Sequence, residues 1–419
     1  MPTLPTFDEI LLSPSVFLNR DVLSPHFVPD FLPYREKEIE KIMHAVAPAL
    51  ENQRPKNLFL YGKTGTGKTC TVKKVMNDFR QKSPAEQDIY INCRMYNSRY
   101  RVMQKIAKKF IPELDKSGFG ISHFYEKLLE YIQTPYQDNK TKRIIAVLDE
   151  IDMVKDLDEL MYTLTRMNDE ISSGSISIIG ITNKLSFKDA LDPRSKSSLC
   201  ETEIIFTPYN NEQLREILSQ RVKSGFVEGT VHESAVNLAA AIAAQETGDA
   251  RYALKLLLKA GEIADEKKLF LVTDQEVEEA RRNVDIALAS EVITTLPKHQ
   301  QLVLLAVCNL YINSGGYQKL NQEGTFGENN LLSGEVYEEY SRICRKLKRV
   351  PRSARWYREY LNELEMLGLI TTIESSKGMR GHTRFIKPGY DAQQMIQILI
   401  NPNGENKKQS NFEISDGRI

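Results

Sequence analysis

The sequence predicts a doubly wound α/β domain built on a parallel sheet, followed by a helical domain and a C-terminal winged helix-turn-helix domain. Three observations support this prediction. Short apolar strands alternate with helices up to about residue 207, a pattern typical of parallel α/β sheets. Helical patterns without strands continue to about residue 290. A helix, a turn, a basic helix and a hairpin then follow within residues 291–400.

The composition is that of an ordinary soluble globular protein, and it assigns no ligand by itself. The 419 residues suffice for two or three domains. The 56 lysines and arginines balance 56 aspartates and glutamates, so basic regions must be found locally. No apolar run approaches the ~20 residues of a membrane span, and we expect no secretory signal. The five cysteines are scattered without a C-x-x-C pair, which indicates reduced thiols in the cytoplasm and no zinc site.

A glycine-rich loop fits the phosphate-binding pattern G-x-x-x-x-G-K-[ST]. It stands between an apolar strand and a helical segment, and it comprises Gly62, Lys63, Thr64, Gly65, Thr66, Gly67, Lys68 and Thr69. Glycines let backbone N–H groups curl around a phosphate chain, and the helix N-terminus adds a favourable dipole. We expect Lys68 to reach the β- and γ-phosphates of ATP and Thr69 to ligate Mg²⁺. The alternative is a Gly/Thr-rich turn that matches by chance.

Two further apolar runs predict strands buried on both faces, and each ends in polar side chains. Asp149 would hold Mg²⁺ through water, and Glu150 would polarise the water that attacks the γ-phosphate. Asn183 could hydrogen-bond the γ-phosphate or that water. Asp152 is expected to cap a helix. Buried strands that end in polar residues without a catalytic role are the alternative.

We divide the chain into five parts. They are an N-terminal arm at 1–33, the α/β domain at 34–207, the helical domain at 208–290, the winged-helix domain at 291–400 and a disordered tail at 401–419. Six prolines in the arm break helices and suggest that it lies across the domain that follows.

Arg251 lies in the first turn of a helix of the helical domain. The helix dipole disfavours a cation at this end, so the arginine should have an anionic partner. A nucleotide phosphate is one candidate, and a surface ion pair is the alternative.

A basic stretch at residues 94–109 follows the second strand and contains no acidic residue. It includes Arg94, Arg99 and Arg101 and is interleaved with tyrosines. Such a pattern suits the backbone of a nucleic acid, although a solvated helix face explains it equally well.

A second basic stretch without acidic residues covers residues 342–358 and includes Arg352, Arg355 and Arg358. Within it, Ser353 can cap the second helix of the helix-turn-helix, and that helix would enter the major groove by its N-terminal end. The helix would direct its three later leucines inward, and these are Leu361, Leu364 and Leu367. Lys377 and Arg380 in the hairpin would contact the DNA backbone or minor groove. The alternative is a winged helix used for protein contact.

Together these motifs resemble those of the AAA+ ATPases. More narrowly they resemble the archaeal replication initiators, a family related to the eukaryotic origin recognition complex and its helicase-loading partner. The resemblance runs from about residue 15 to 395. The strings that carry it are Tyr34-Arg35-Glu36, residues 62–69, Ile91-Asn92-Cys93-Arg94, Leu148-Asp149-Glu150-Ile151-Asp152, Asp192-Pro193-Arg194-Ser195-Lys196-Ser197-Ser198-Leu199, residues 209–221, Gly248-Asp249-Ala250-Arg251 and Ser333-Gly334-Glu335-Val336-Tyr337.

The resemblance implies an α/β AAA+ core that binds ATP or ADP with Mg²⁺, an α-helical lid and a C-terminal winged helix. Asn183 is similar to the first sensor of these ATPases and Arg251 to the second. Arg194 matches the position of an arginine finger that acts on a neighbouring subunit. Tyr209 and Arg221 match positions that contact the nucleotide beside the adenine. The stretch at 94–109 overlaps an insertion that touches origin DNA in this family.

The implied function is an ATP-dependent initiator that binds double-stranded origin DNA in the nucleoid and helps recruit or load the replicative helicase. Paralogous initiator subunits would be further partners, and slow ATP hydrolysis would act as a switch. Two departures from the family bear on DNA binding, namely a displaced basic residue in the hairpin tip and a long loop at 314–332. The alternatives are a clamp-loader-like remodelling ATPase, a nucleotide-gated transcription regulator and a protein adaptor.

Overall fold

The structure, a computed structural model, describes residues 14–83, 87–115, 118–136, 139–184, 202–313, 331–374 and 384–400. The predicted site residues Arg194, Lys377 and Arg380 lie outside these ranges. The chain divides into two compact units, Met1–Glu278 and Glu279–Ile419. Among the described residues, no helix combines the length and the apolar character needed to cross a membrane.

A five-stranded parallel sheet forms the centre of the first unit. The strands are β1 (Leu58–Tyr61), β2 (Asp88–Asn92), β3 (Arg143–Asp149), β4 (Ser175–Thr182) and β5 (Thr202–Ile205). Their spatial order is β2-β3-β4-β1-β5. All of β4 and all of β3 after its first residue are buried, because helices cover both faces of the sheet. The predicted α/β class is therefore confirmed.

Two apolar clusters form on opposite faces of this sheet. The helices are α1 (Glu36–Val46), α2 (Lys68–Lys82), α3 (Arg99–Phe110), α4 (Ile121–Gln133) and α5 (Leu157–Glu170). Ile144, Ala146 and Leu148 of β3 belong to the cluster with α3, α4 and α5. Ile145 and Val147 belong to the cluster with α1 and α2. This alternation is the two-residue period of a strand whose two faces are both covered.

The helical part of the first unit follows β5. It contains α6 (Asn211–Gly225), α7 (Glu233–Glu246) and α8 (Ala250–Glu266), and the chain then continues into α9 (Asp274–Thr295). A capping box formed by Asn210 and Gln213 begins α6, and the Asp249 side chain caps α8.

The arm contacts the helical part, whereas the sequence predicts that it lies across the α/β domain. That prediction was therefore incomplete. The backbone N–H groups of Leu18 and Asn19 donate to the Gly225 carbonyl at 2.9 and 3.0 Å. The Phe17 ring lies 4.8 Å from the Phe226 ring, measured between centroids. Burial of these aromatic rings gives the arm an apolar anchor that its prolines did not indicate.

The second unit is a winged helix-turn-helix, as predicted. Its helices are α10 (Lys298–Asn313), α11 (Ser333–Lys346), α12 (Ala354–Met366) and α13 (Ala392–Ile400). Its antiparallel sheet has the order β6-β8-β7, with β6 at Leu331–Leu332, β7 at Ile370–Glu374 and β8 at Arg384–Pro388. Ser353 is the N-cap residue of α12, but its side chain makes no capping hydrogen bond within the described part of the chain.

One leucine at the C-terminal end of α12 is exposed, although the sequence predicts that it is buried. Leu361 and Leu364 are buried, with 1% and 0% of their surface exposed, whereas Leu367 is 41% exposed. The helix ends at Met366, and Gly368 then turns the chain with φ +72°. The three-residue spacing of the leucines predicts a buried Leu367 only if the helix continues through this residue. Because the helix ends one residue earlier, the spacing no longer applies there.

We expect Leu364→Ala to lower the free energy of unfolding of the second unit by about 2–5 kcal/mol, because it leaves a cavity in the core. The matched variant Leu367→Ala should change it by less than about 1 kcal/mol. The measurement is urea unfolding followed by the fluorescence of Trp356, the single tryptophan of the chain, which lies in α12. Equal losses in the two variants would contradict this packing.

Candidate nucleotide-binding site and basic surfaces

A cavity of about 370 Å³ opens at the carboxyl edge of the parallel sheet. A cleft of this volume suits a small organic ligand. Of the predicted site residues, those that line it are Gly65, Thr66, Gly67, Lys68, Thr69, Asp149, Glu150, Asn183, Tyr209, Arg221 and Arg251. Gly62, Lys63 and Thr64 lie earlier in the same loop, outside the lining. The fold thus brings residues separated by almost 200 positions around one space.

The Lys68 side chain is folded back onto the loop that carries it. Its Nζ donates to the carbonyl oxygens of Gly62 at 2.6 Å and Lys63 at 2.7 Å. Burial, and then the nearby charge of Arg251, lower the pKa of Lys68 to about 8. A phosphate group in the cavity would offer this ammonium a full negative charge in place of neutral carbonyl groups.

Asp149 is buried and fixed by hydrogen bonds to both of its carboxylate oxygens. Oδ2 accepts from the Thr69 hydroxyl at 2.8 Å and from the Tyr90 hydroxyl at 2.5 Å, and Oδ1 accepts from the Glu150 N–H at 3.0 Å. No cluster of three or more His, Cys, Asp or Glu side chains that could hold a metal occurs among the described residues. A hydroxyl and one carboxylate suit Mg²⁺, which keeps several waters and shares substrate phosphates.

Glu150 has a strained backbone and an ion-pair partner. Its φ of 54° lies in the left-handed region, which is uncommon for a residue with a side chain. Its Oε2 lies 3.3 Å from Nε of Arg94, a residue predicted to bind DNA. The side chain predicted to polarise water is therefore engaged by a cation from the end of β2.

Asp152 does not cap a helix, so that prediction was wrong. Its Oδ1 accepts from the Thr182 hydroxyl at 2.9 Å, and its Oδ2 lies 3.4 Å from Nζ of Lys184. These contacts bind the turn after β3 to the end of β4, next to Asn183. Sequence spacing does not show that β3 and β4 are neighbours, so it does not reveal the two partners of Asp152 on β4 and directly after it.

The helical part contacts the phosphate-binding loop directly. The N–H of Ala250 donates to the Gly65 carbonyl at 3.2 Å. Gly65 has φ +70°, and a Cβ atom built there would lie 1.6 Å from Oδ1 of Asp249. The glycine is therefore needed both for backbone conformation and for the close approach of Asp249.

Arg251 is 53% exposed at its side chain and borders the cavity, with Nε 3.9 Å from Oδ1 of Asp249. This distance allows only a weak ion pair with Asp249, and the exposed guanidinium is accessible to an anion in the cavity.

Tyr209 and Arg221 occupy the other side of the cavity, beside the arm. The Arg221 guanidinium lies 4.8 Å from the centre of the Phe27 ring and donates to the Val22 carbonyl at 3.2 Å. Burial of this guanidinium lowers the pKa of Arg221. The Tyr209 ring lies under the guanidinium of Arg35, which is 4.0 Å from the ring centre.

Sequence reasoning assigned no site role to Arg35, Tyr90 or Asp249. The arm residues that line the cavity were also missed, and they include Ser24, Pro25, His26, Phe27, Val28 and Pro29. Asp249 had a usable signal, because an aspartate directly before a helix is a capping residue. Arg35 and Tyr90 had no such signal in the sequence. Arg35 stands at the start of an amphipathic helix, and Tyr90 belongs to an apolar strand.

The first basic stretch is partly neutralised by acidic residues from elsewhere in the unit. Besides the pair formed by Arg94, Nη2 of Arg99 lies 3.1 Å from the Glu159 carboxylate, and the Arg99 N–H donates to Asp156. Arg101 is exposed and donates to the Met95 carbonyl at 3.4 Å. An acid-free run in the sequence is therefore not an acid-free surface.

In the second basic stretch Arg342 is paired with Glu339, but three of its other arginines keep their charge exposed. Arg352, Arg355 and Arg358 are exposed at the N-terminal end of α12, and none forms an ion pair with another described residue. The Trp356 side chain, 56% exposed, lies among them. Of the two basic stretches, this one has the arrangement suited to an anionic polymer.

Family models match most of the chain. The AAA domain matches residues 51–186, the Cdc6 AAA+ ATPase-type lid domain matches 215–282, and the CDC6 C-terminal winged helix domain matches 291–397.

Comparisons over nearly the whole chain agree with these matches. The chain is 37% identical to the ORC1-type DNA replication protein 1 of Archaeoglobus fulgidus, over 97% of this chain and 98% of the relative. It is 41% identical to the ORC1-type DNA replication protein of Thermococcus kodakarensis, over 91% and 90%. Among solved structures, the Aeropyrum pernix ORC1 protein in complex with DNA matches with a TM-score of 0.74 and 35% identity, over 93% and 97%.

Gly65→Ala should impair both folding and nucleotide binding, because the new methyl group would meet Asp249 and displace the loop. Gly368→Ala is the matched control, since Gly368 has φ +72° but no heavy atom within 4 Å of a built Cβ. The control should lose only about 1–2 kcal/mol of stability through backbone strain. We expect a larger loss for Gly65→Ala, together with at least a tenfold lower affinity for a fluorescent ATP analogue. Equal effects of the two substitutions on stability and affinity would refute the proposed contact.

Proposed function

The chain belongs to the family of ORC1-type DNA replication proteins, and we propose that it is an ATP-dependent initiator that binds double-stranded origin DNA. It would help recruit or load the replicative helicase, together with paralogous initiator subunits. The observation that carries this proposal is the cavity at the sheet edge, where the phosphate-binding loop, the acids of β3 and the helical lid meet. The exposed arginines of the winged helix support the DNA-binding part.

Several residues that line the cavity would act together in hydrolysis of the γ-phosphate. Thr69 and, through water, Asp149 would hold Mg²⁺, which supplies charge neutralisation on the phosphates. Lys68 would exchange its loop carbonyls for phosphate oxygens. Glu150 would orient the attacking water and take up its proton. Asn183 and Arg251 would contact the γ-phosphate from the sheet and the lid, and Arg194 would act on the nucleotide of a neighbouring subunit.

The ion pair between Glu150 and Arg94 supports slow hydrolysis. In this pair a carboxylate oxygen of Glu150 is directed towards the Arg94 guanidinium rather than towards a water molecule. Hydrolysis would then act as a switch between nucleotide states rather than as the drive of a motor. Rapid turnover stimulated by DNA would instead favour a remodelling ATPase.

Contact with DNA would run through α12. A helix of a helix-turn-helix reads the major groove with its N-terminal residues. Arg355 lies in the first turn of α12, and Arg352 directly precedes the N-cap residue Ser353. Phosphate contacts by these arginines and by Arg358 would fix the position of the protein on the duplex. Arg101 would add a contact from the first unit.

For the ATPase part, Lys68→Ala should abolish ATP binding, and Glu150→Gln should bind ATP without turning it over. Arg94→Ala should raise the turnover rate several-fold, because it frees the Glu150 carboxylate. Arg101→Ala is the matched control, since its guanidinium donates to the Met95 carbonyl and forms no ion pair with the residues that the structure describes. The measurements are ATP binding and steady-state phosphate release. Normal hydrolysis by Glu150→Gln would refute the assignment of Glu150 as the base. An unchanged rate in Arg94→Ala would refute the idea that the ion pair with Arg94 slows hydrolysis.

For the DNA part, replacing Arg355 and Arg358 together by alanine should lower the affinity for origin duplex at least tenfold. The slope of log affinity against log salt should fall by about 2, one unit per lost phosphate contact. The double variant Lys37→Ala/Lys41→Ala removes the same charge from an exposed face of α1 and should change neither quantity. Trp356 reports binding directly through its fluorescence. Equal binding by both double variants would exclude α12 as the contact.

A further inference from the structure

The Tyr90 hydroxyl is in a position that the residues proposed for ATP hydrolysis do not explain. Tyr90 lies on β2, and its hydroxyl donates to Oδ2 of Asp149 at 2.5 Å. Oδ2 also accepts from the Thr69 hydroxyl. Two hydroxyl groups, those of Thr69 and Tyr90, therefore donate to the same carboxylate oxygen of Asp149. Tyr90 itself lines the cavity.

Strand register explains why this residue, and not a shorter one, reaches the carboxylate. In the parallel pairing of β2 with β3, Tyr90 is opposite Val147 and Asn92 is opposite Asp149. Asp149 is therefore the diagonal neighbour of Tyr90 on the same face of the sheet, a separation that long side chains can span. The Lys73 ammonium lies 4.9 Å from the centre of the Tyr90 ring, which fixes the ring from the other side.

We propose that Tyr90 is a positioning residue for divalent-cation binding, because its hydroxyl holds the Asp149 carboxylate in the orientation needed beside Thr69. The Thr69 hydroxyl donates to the same oxygen and would have to keep this hydrogen bond while its own oxygen ligates the cation, whereas the Tyr90 hydroxyl is not a proposed ligand. A donor from a neighbouring strand restrains the carboxylate without competing for the cation. Partners of this kind behind a metal ligand commonly alter metal affinity by 10–100-fold.

Burial and the hydrogen bond to Asp149 both raise the pKa of Tyr90. This inference rests on the proposed function, because it takes Asp149 as the residue that holds Mg²⁺.

The test is Tyr90→Phe, which keeps the ring and removes one hydroxyl group. The matched control is Tyr100→Phe, which removes a hydroxyl that donates to the Phe119 carbonyl at 3.2 Å in the same domain. Mn²⁺, which is visible by electron paramagnetic resonance, is titrated into the complex of the full chain with a non-hydrolysable ATP analogue. Binding of a fluorescent ATP analogue in EDTA is measured in parallel, and thermal unfolding checks that each variant is folded.

We expect Tyr90→Phe to lower the affinity for Mn²⁺ about tenfold while binding of the analogue in EDTA stays within about twofold of wild type. Tyr100→Phe should change neither. Unchanged Mn²⁺ affinity in Tyr90→Phe would overturn the inference, and so would an equal loss of nucleotide affinity with and without the cation. If divalent cations do not affect nucleotide binding by the wild-type protein, the proposed ATPase activity itself is refuted. Failure of the Tyr90 inference can thus be distinguished from failure of the proposed function.

Discussion

The buried guanidinium of Arg35 is the contact on which the geometry of the site most depends. Its Nε donates to the Thr66 carbonyl in the phosphate-binding loop at 2.9 Å, and its Nη2 donates to the Thr207 carbonyl after β5 at 2.8 Å. Only 3% of Arg35 is exposed, and it also stacks on Tyr209 at the start of the helical part. A buried cation requires such partners, because an unsatisfied charge in the interior is strongly unfavourable. Three segments distant in sequence must therefore adopt one arrangement.

Asp249 completes this arrangement from the lid. It caps α8 through the Arg251 N–H and packs against Gly65, while Ala250 donates to the Gly65 carbonyl. The phosphate-binding loop is thus held by Arg35 on one side and by the lid helix on the other. A ligand that alters the loop would have to alter both contacts.

Charge is distributed unevenly in a chain that has no formal net charge. In the first unit, cations and acids neutralise each other, as Arg94 does with Glu150 and Arg99 with Glu159. In the winged helix, Arg342 is paired with Glu339, whereas Arg355 and Arg358 of α12 stay exposed. Paired charges orient side chains, while unpaired exposed charges set the long-range field that attracts a polyanion. The two basic stretches look alike in sequence, and their tertiary neighbours make them different.

The sequence by itself determined the succession of strands and helices along the chain, the fold class, the family and the loop that would hold phosphate. These follow from local signals, namely strand and helix periods, glycine spacing and short motifs, which need no knowledge of distant neighbours. Local signals failed at Leu367, where a helix ended early, and at Asp152, whose partners lie on another strand. Only the tertiary structure decided that Tyr90 reaches Asp149, that Arg94 engages Glu150 and that Arg35 joins the loop to the lid. Each of these contacts depends on strand register or on the packing of separate segments, and neither is encoded in the spacing of residues along the chain.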